Sequence, residues 1–172
     1  MIVRPDSDRA AHADGNGIDW LASTDWVDAA PFAAHLRSLW AETRLPWRVL
    51  ATAAGVPAAT ARSLLAGGRP RRRIRAVDAW SLMQLSSERL RAAHRWVIDA
   101  APTTTNLIGL IDAGWSACAL ASALAIDEPT MTALLSQQTR CCTQVLAWRA
   151  EALCDAVGVE TVSMAELQRL AA

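Results

Sequence analysis

The 172-residue sequence contains no lysine and no tyrosine, and it has a single phenylalanine. Its four cysteines stand at positions 118, 141, 142 and 154, and none forms a Cys-x-x-Cys pair. The three histidines are dispersed, so no zinc-site spacing is present. We expect reduced thiols that mostly fill the core, no metal and no cofactor. A thiol-responsive regulator using Cys141 and Cys142 is the alternative.

Long apolar runs are absent as well. No stretch approaches the length that spans a bilayer, and the first ten residues lack an apolar signal core. The sequence also shows no Gly-rich phosphate loop, no paired carboxylates and no nucleophile elbow. These absences argue against a membrane protein and against an enzyme, and they favour a cytoplasmic location.

Both signs of charge are present in equal number, but they are segregated along the chain. Residues 1–30 carry two arginines and six aspartates, a net charge of −4. Residues 31–95 carry twelve arginines and three acids, a net of +9, whereas residues 96–172 carry three arginines and eight acids, a net of −5. A basic segment between acidic flanks suits a polyanionic partner, and double-stranded DNA is the first candidate.

The chain repeats itself at an interval of 70 or 71 residues. WVDAAP at 26–31 recurs as WVIDAAP at 96–102. Later apolar residues also match, as Ile74 does with Val145. Such an ordered series favours internal duplication of one small fold over chance similarity between alanine-rich helices.

Within each copy, apolar residues recur at intervals of three and four, which is typical of helices. No stretch alternates with period two for long enough to predict a strand. The predicted fold is therefore all-α, with two tandem small helical domains of helix-turn-helix type from an internal duplication. Predicted helices cover 31–43, 46–54, 58–66, 74–94, 102–113, 116–124, 128–136, 143–156 and, after a capping box of Ser163 and Glu166, 164–171.

The segment WRVLATAAGVPAATARSLLAG, residues 47–67, has the spacing of a helix-turn-helix. Ala51 is small where two helices cross closely, and Gly55 can adopt the positive φ that the turn needs. The second helix would be the recognition helix, in which methyl groups meet thymine methyls and Arg62 reaches guanine or phosphate. Its predicted exposed residues include Ala58, Ala59, Thr60, Arg62 and Ser63. The alternative is an alanine-rich, solvated helix.

An arginine-rich loop follows this helix. No acid lies between Glu42 and Asp78, so the loop differs from an ordinary mixed-charge surface. Such a loop can bind the phosphate backbone, although a generic basic loop or a surface for an acidic protein remains open. The loop contributes Arg69, Arg71, Arg72, Arg73 and Arg75 to the predicted site, and the preceding segment contributes Arg44, Trp47 and Arg48.

The second copy has the same apolar pattern with the opposite charge. Asp127 is a predicted N-cap, and Glu128 follows it at the start of the equivalent helix. The loop after that helix carries Arg140 alone. We therefore expect the second copy not to bind DNA through its own helix-turn-helix.

Tryptophan is the main aromatic residue of the chain. Trp26 and Trp96 are predicted wedges between helices. Four further tryptophans are predicted core or interface residues rather than ligand-stacking groups: Trp40, Trp80, Trp115 and Trp148.

These motifs resemble lambda-repressor-like helix-turn-helix regulators of actinobacteria and actinophages, some of which are phage immunity repressors. The resemblance covers residues 26–157 and departs from the family at Trp47, where many members carry glutamine. It implies a DNA-binding helix-turn-helix domain (26–95) and a degenerate second domain (96–172), while the polar, Gly- and Asp-rich composition of residues 1–25 predicts a flexible acidic segment. The expected function is a nucleoid-associated transcriptional regulator, a repressor, with a homodimer or partner protein bound through residues 96–172. The alternative is an adaptor whose basic face binds an acidic protein.

Overall fold

The structure, a computed structural model, describes residues 25–66 and 72–162. The predictions of a flexible N-terminal segment and of a helix at 164–171 therefore concern residues that lie almost wholly outside the described part. The described residues are mostly helical, which confirms the predicted class, and they also form two small two-stranded sheets.

The described part of residues 25–95 contains a pair of strands and a series of short helices. In chain order these are β1 (Trp26–Asp28), α1 (Ala30–Thr43), α2 (Trp47–Ala54), α3 (Ala58–Leu65), β2 (Arg73–Arg75), α4 (Ala76–Met83) and α5 (Ser87–Ala93).

Residues 96–162 repeat most of this order. The elements are β3 (Val97–Asp99), α6 (Ala101–Asp112), α7 (Ala117–Leu124), α8 (Glu128–Leu135), β4 (Cys141–Thr143) and α9 (Gln144–Val157).

Two sequence predictions are corrected here. Strands do occur, because β1 pairs antiparallel with β2 and β3 with β4, but each strand has three residues and is too short for a period-two signal. The predicted helix 74–94 is instead β2 followed by two helices. The second of these begins at the Ser86 N-cap, whose hydroxyl accepts the Arg89 backbone N–H.

The two halves have equivalent hydrogen bonds where the first strand of each meets the helix that follows it. Asp28 accepts the backbone N–H of Ala30 where β1 meets α1, and Asp99 accepts that of Ala101 where β3 meets α6.

The connection after the third helix is seven residues in the first half, 66–72, and five in the second, 136–140. The register therefore shifts from 70 to 68, so Ile74 corresponds to Cys142 rather than to Val145. Duplication as the origin of this likeness stays a prediction.

Helix α9 belongs to two hydrophobic cores. One of its faces joins the core built by α1–α5, and another joins the core built by α6–α8. The first face carries Val145, Trp148 and Ala152, and the second carries Leu146, Ala147, Ala150 and Cys154. The α9 helix packs against both α2 and α6, so the second half completes the core of the first. The domain boundary at 95/96 stays a prediction.

The tryptophans divide into two groups. Trp148 is buried as predicted, and Trp115 packs against the second core. Trp26 and Trp96 are about half exposed, at 47% and 46%, so they are not wedges enclosed between helices. Trp40 and Trp80 are also exposed, so neither is a core residue, and the predicted interface role of both stays a prediction.

Candidate nucleic-acid interface

The α2–α3 pair has the turn that its sequence predicts. Gly55 adopts a left-handed conformation with φ of 68°, and its N–H caps the end of α2. The Val56 N–H donates to the Ala51 carbonyl at 3.0 Å, which closes the turn. Pro57 then stands at the N-cap of α3, where its fixed φ suits the entry into a helix.

Buried side chains hold this pair against α1. Leu50 and Ala51 of α2 and Ala61 and Leu64 of α3 are buried, as the sequence predicts. Arg37 of α1 donates from its guanidinium to the Leu64 carbonyl at 3.1 Å. The last turn of α3 is thus fixed by both packing and a hydrogen bond.

A shallow groove of about 420 Å³ lies between the start of α2 and the outer face of α3. The α3 side of the groove carries small side chains, with the Trp47 ring and two arginines beside them, so an extended polyanion could approach the backbone of α3 closely. Six residues of the predicted site line it together with Ala66: Trp47, Arg48, Ala58, Ala59, Arg62 and Ser63.

Thr60 does not belong to this surface. It is buried, with 4% of its surface exposed, because it precedes Leu64 by one helical turn and shares the inward face of α3. The prediction that Thr60 is exposed is therefore wrong. Arg62 remains exposed as the long polar side chain of this helix.

The Arg48 side chain makes both a cation–π contact and an ion pair. Its guanidinium lies over the Trp47 ring, 4.7 Å from the ring centroid. It also forms an ion pair with Asp155 of α9, at 3.3 Å between Nη1 and Oδ2. A carboxylate from the second half thus reaches the edge of the predicted DNA surface.

Arg44 ends α1 in a left-handed conformation with φ of 57°. It lines a second groove of about 350 Å³, where α2 faces α7 and α9. Arg48 lines this groove too, and Arg149 joins it from α9. The structure therefore gathers three arginines at the junction of the two halves.

The described arginines of the loop do not line the α2–α3 groove. Arg72 and Arg73 line a depression of about 560 Å³ with Arg37, beside the start of α1. Arg75 instead makes a bidentate ion pair with the buried carboxylate of Asp78, at 3.0 and 2.8 Å. This pair raises the pKa of Arg75 and gives it a structural partner. Arg69 and Arg71 lie outside the described residues.

The helix N-termini of the two halves differ in a way that bears on anion binding. Helices α2 and α3 begin at Pro46 and Pro57, which provide no capping side chain, and neither has an acid in its first turn. Helices α7 and α8 begin at Ser116 and Asp127, whose side chains accept the N–H of Ala119 and Thr130. The second half thus caps these donors with side chains, whereas in α3 the Thr60 N–H donates to the Pro57 carbonyl at 2.9 Å and α2 has no side-chain cap.

The second helix pair, α7 and α8, also forms a helix-turn-helix, but it carries acidic residues where the first pair carries none. The chain bends by 115° between α7 and α8, within the range of a helix-turn-helix. Asp127 is the N-cap that the sequence predicts, and its bond to Thr130 lowers the pKa of its carboxyl. Glu128 is exposed beside it. Both carboxylates lie at the start of α8, which is the counterpart of the predicted recognition helix α3.

The four thiols are divided between the core and the surface. All four cysteines are free, and Cys142 and Cys154 are buried as core residues. Cys118 and Cys141 are exposed, so two of the four thiols do not fill the core as expected. A hydrogen bond with Glu128 raises the pKa of the Cys118 thiol. In the described residues, no group of three or more His, Cys, Asp or Glu side chains could hold a metal ion.

Helix length and apolar character bear on whether a segment could span a membrane. Within residues 25–66 and 72–162, no single helix is both long enough and apolar enough to cross a membrane. The bent α7–α8 pair meets the criteria of length and composition only when its helices are taken together.

Two charged residues of the interface were missed from the sequence. Arg37 supports α3 through a carbonyl 27 positions away, and Asp155 pairs with Arg48 across 107 positions. No local motif signals either contact. Arg37 alone could have been suspected, from its place on a helix of the basic segment.

Comparison with known proteins adds nothing to this picture. No protein-family model, no curated protein and no solved structure matches the chain.

Proposed function

We propose that this protein is a sequence-specific double-stranded DNA-binding transcriptional regulator, and that it acts as a repressor. DNA would bind to the groove at α2 and α3, with the arginine-rich loop on the phosphate backbone. The observation that carries the proposal is the combination in one groove of small side chains, two arginines and helix starts without side-chain caps.

Shape supports this function. Ala58 and Ala59 occupy the first turn of α3, and their small side chains allow the helix to approach base edges. Arg62 stands one turn further along and can donate two hydrogen bonds to a guanine. Trp47 and Arg48 line the groove at the start of α2, where they would meet the flanking phosphates.

Electrostatics supports it as well. Residues 31–95 carry a net charge of +9, and the exposed Arg72 and Arg73 extend the basic surface beyond the groove. The second half has capped helix starts and two carboxylates at α8, so we assign it to packing, to homodimer formation or to a partner protein. A cytoplasmic, nucleoid-associated location follows from the proposal.

The test is a titration of the full chain with labelled duplex at several salt concentrations. With roughly five phosphates neutralised, log K against log salt is expected to slope by about −4 to −5. A genome-wide footprint would then give the operator. A slope near zero would contradict the proposal, and recovery of an acidic protein on the same basic face would favour the adaptor instead.

A further inference from the structure

Arg48 stands at the boundary of the two grooves described above. It lines the predicted DNA groove with Arg62, and it also lines the junction groove with Arg44 and Arg149. Its ion pair with Asp155 therefore lies beside the surface on which the proposed function places the phosphates.

This ion pair is exposed enough to exchange partners. The Arg48 side chain is 37% exposed and the Asp155 side chain 56% exposed. An exposed pair of this kind adds little to stability, and solvent screens it. A phosphate that arrives at Arg48 meets a guanidinium already neutralised by a carboxylate, and that carboxylate repels the phosphate.

We propose that Asp155 competes with DNA phosphate for Arg48, so that the second half restrains the DNA affinity of the first. This inference rests on the proposed function. The restraint is intramolecular because α9, which carries Asp155, is held in the core of the first half by Val145, Trp148 and Ala152. The carboxylate thus stays beside Arg48 whether or not DNA is present.

The experiment measures the binding of a labelled random duplex of about 30 base pairs by the full chain, from about 50 to 200 mM salt. Asp155→Asn keeps the size of the side chain and removes its charge. We expect it to tighten binding about three- to tenfold and to steepen the salt slope by as much as about 1, since one more arginine is free for phosphate.

Two further variants isolate the mechanism. Asp112→Asn removes an equal charge from an exposed position at the end of α6, and it is expected to tighten binding by less than about twofold, the effect of net charge alone. In an Arg48→Ala background, Asp155→Asn should lose most of its effect, because the two residues act as a pair. Thermal melting of each variant checks that the fold is intact.

The outcomes separate the two proposals. If neither the wild type nor Asp155→Asn binds duplex at about 50 mM salt, both the proposed function and the inference fail. If the wild type binds and Asp155→Asn binds equally or more weakly, only the inference is overturned. An equal gain from Asp112→Asn, or a gain that persists in the Arg48→Ala background, overturns it too.

Discussion

Gly55 and Ala125 end the first helix of each helix pair in the same left-handed conformation, with φ of 68° and 55°. In both turns the next residue donates its N–H to the carbonyl five positions back, from Val56 to Ala51 and from Ile126 to Ala121. The first turn uses glycine, which adopts this conformation at no steric cost, and the second uses alanine, which does not.

The two turns therefore predict stability changes of opposite sign. Gly55→Ala should lower the free energy of unfolding by about 1–2 kcal/mol, and Ala125→Gly should raise it by about 0.5–1 kcal/mol. A methyl group at Gly55 would meet no atom within 4 Å, so the loss isolates backbone strain from packing. Urea denaturation of the matched pair measures both effects, and a loss of stability in Ala125→Gly would contradict the argument.

Trp148 should stabilise the first half of the chain although it lies in the second. It is 8% exposed and belongs to the core built by α1–α5, so Trp148→Ala should cost about 3–5 kcal/mol. Trp40→Ala removes a ring that is 50% exposed and should cost much less. Amide hydrogen exchange is the decisive measurement, since Trp148→Ala should weaken protection in α2 as well as in α9. Protection lost from α9 alone would show that the halves are independent.

Arg72 and Arg73 should supply DNA affinity without sequence choice. Replacing both by alanine should weaken binding to specific and random duplexes alike and reduce the salt slope by about 2. Adding Arg71→Ala should bring the reduction to about 3. Arg140→Ala is the matched control, because the Arg140 carbonyl accepts the Ala100 N–H just as the Arg72 carbonyl accepts that of Ala29. Unchanged affinity in the double variant would contradict this docking of the loop.

The raised pKa of the buried Cys154 thiol leads us to expect that the free energy of unfolding depends on pH. Burial, with repulsion from Glu151 as a smaller cause, raises the pKa of this thiol to about 11. Above about pH 9 the unfolded chain releases the thiol proton while the folded chain keeps it, so the free energy of unfolding should fall as pH rises towards 11. The slope from this group is at most about 1.4 kcal/mol per pH unit.

Denaturation of wild type and Cys154→Ala at a series of pH values tests this effect. The variant is less stable at neutral pH because a buried side chain is shortened, but its decline above pH 9 should be shallower. The difference between the two profiles isolates Cys154 from the other titrating groups. Parallel profiles would mean that the thiol proton is not linked to folding.

Much of the candidate site could be predicted from local signals. The turn at Gly55, the buried Ala51 and the N-cap at Asp127 follow from spacing and residue chemistry over a few positions, and the structure has each of them. Thr60 shows the limit of residue type as a guide. Its polarity suggested exposure, whereas its spacing from Leu64 puts it on the buried face.

The sequence by itself determined most of the described helices, their turns and the contrast in charge, because helical periodicity, turn chemistry and net charge act over short stretches of chain. Only the tertiary structure decided that α9 serves both cores and that Arg48 meets Asp155. It also decided the short strand pairs, whose partners are far apart in sequence. Such contacts depend on how whole helices pack, and packing depends on the shapes of surfaces that no local pattern encodes.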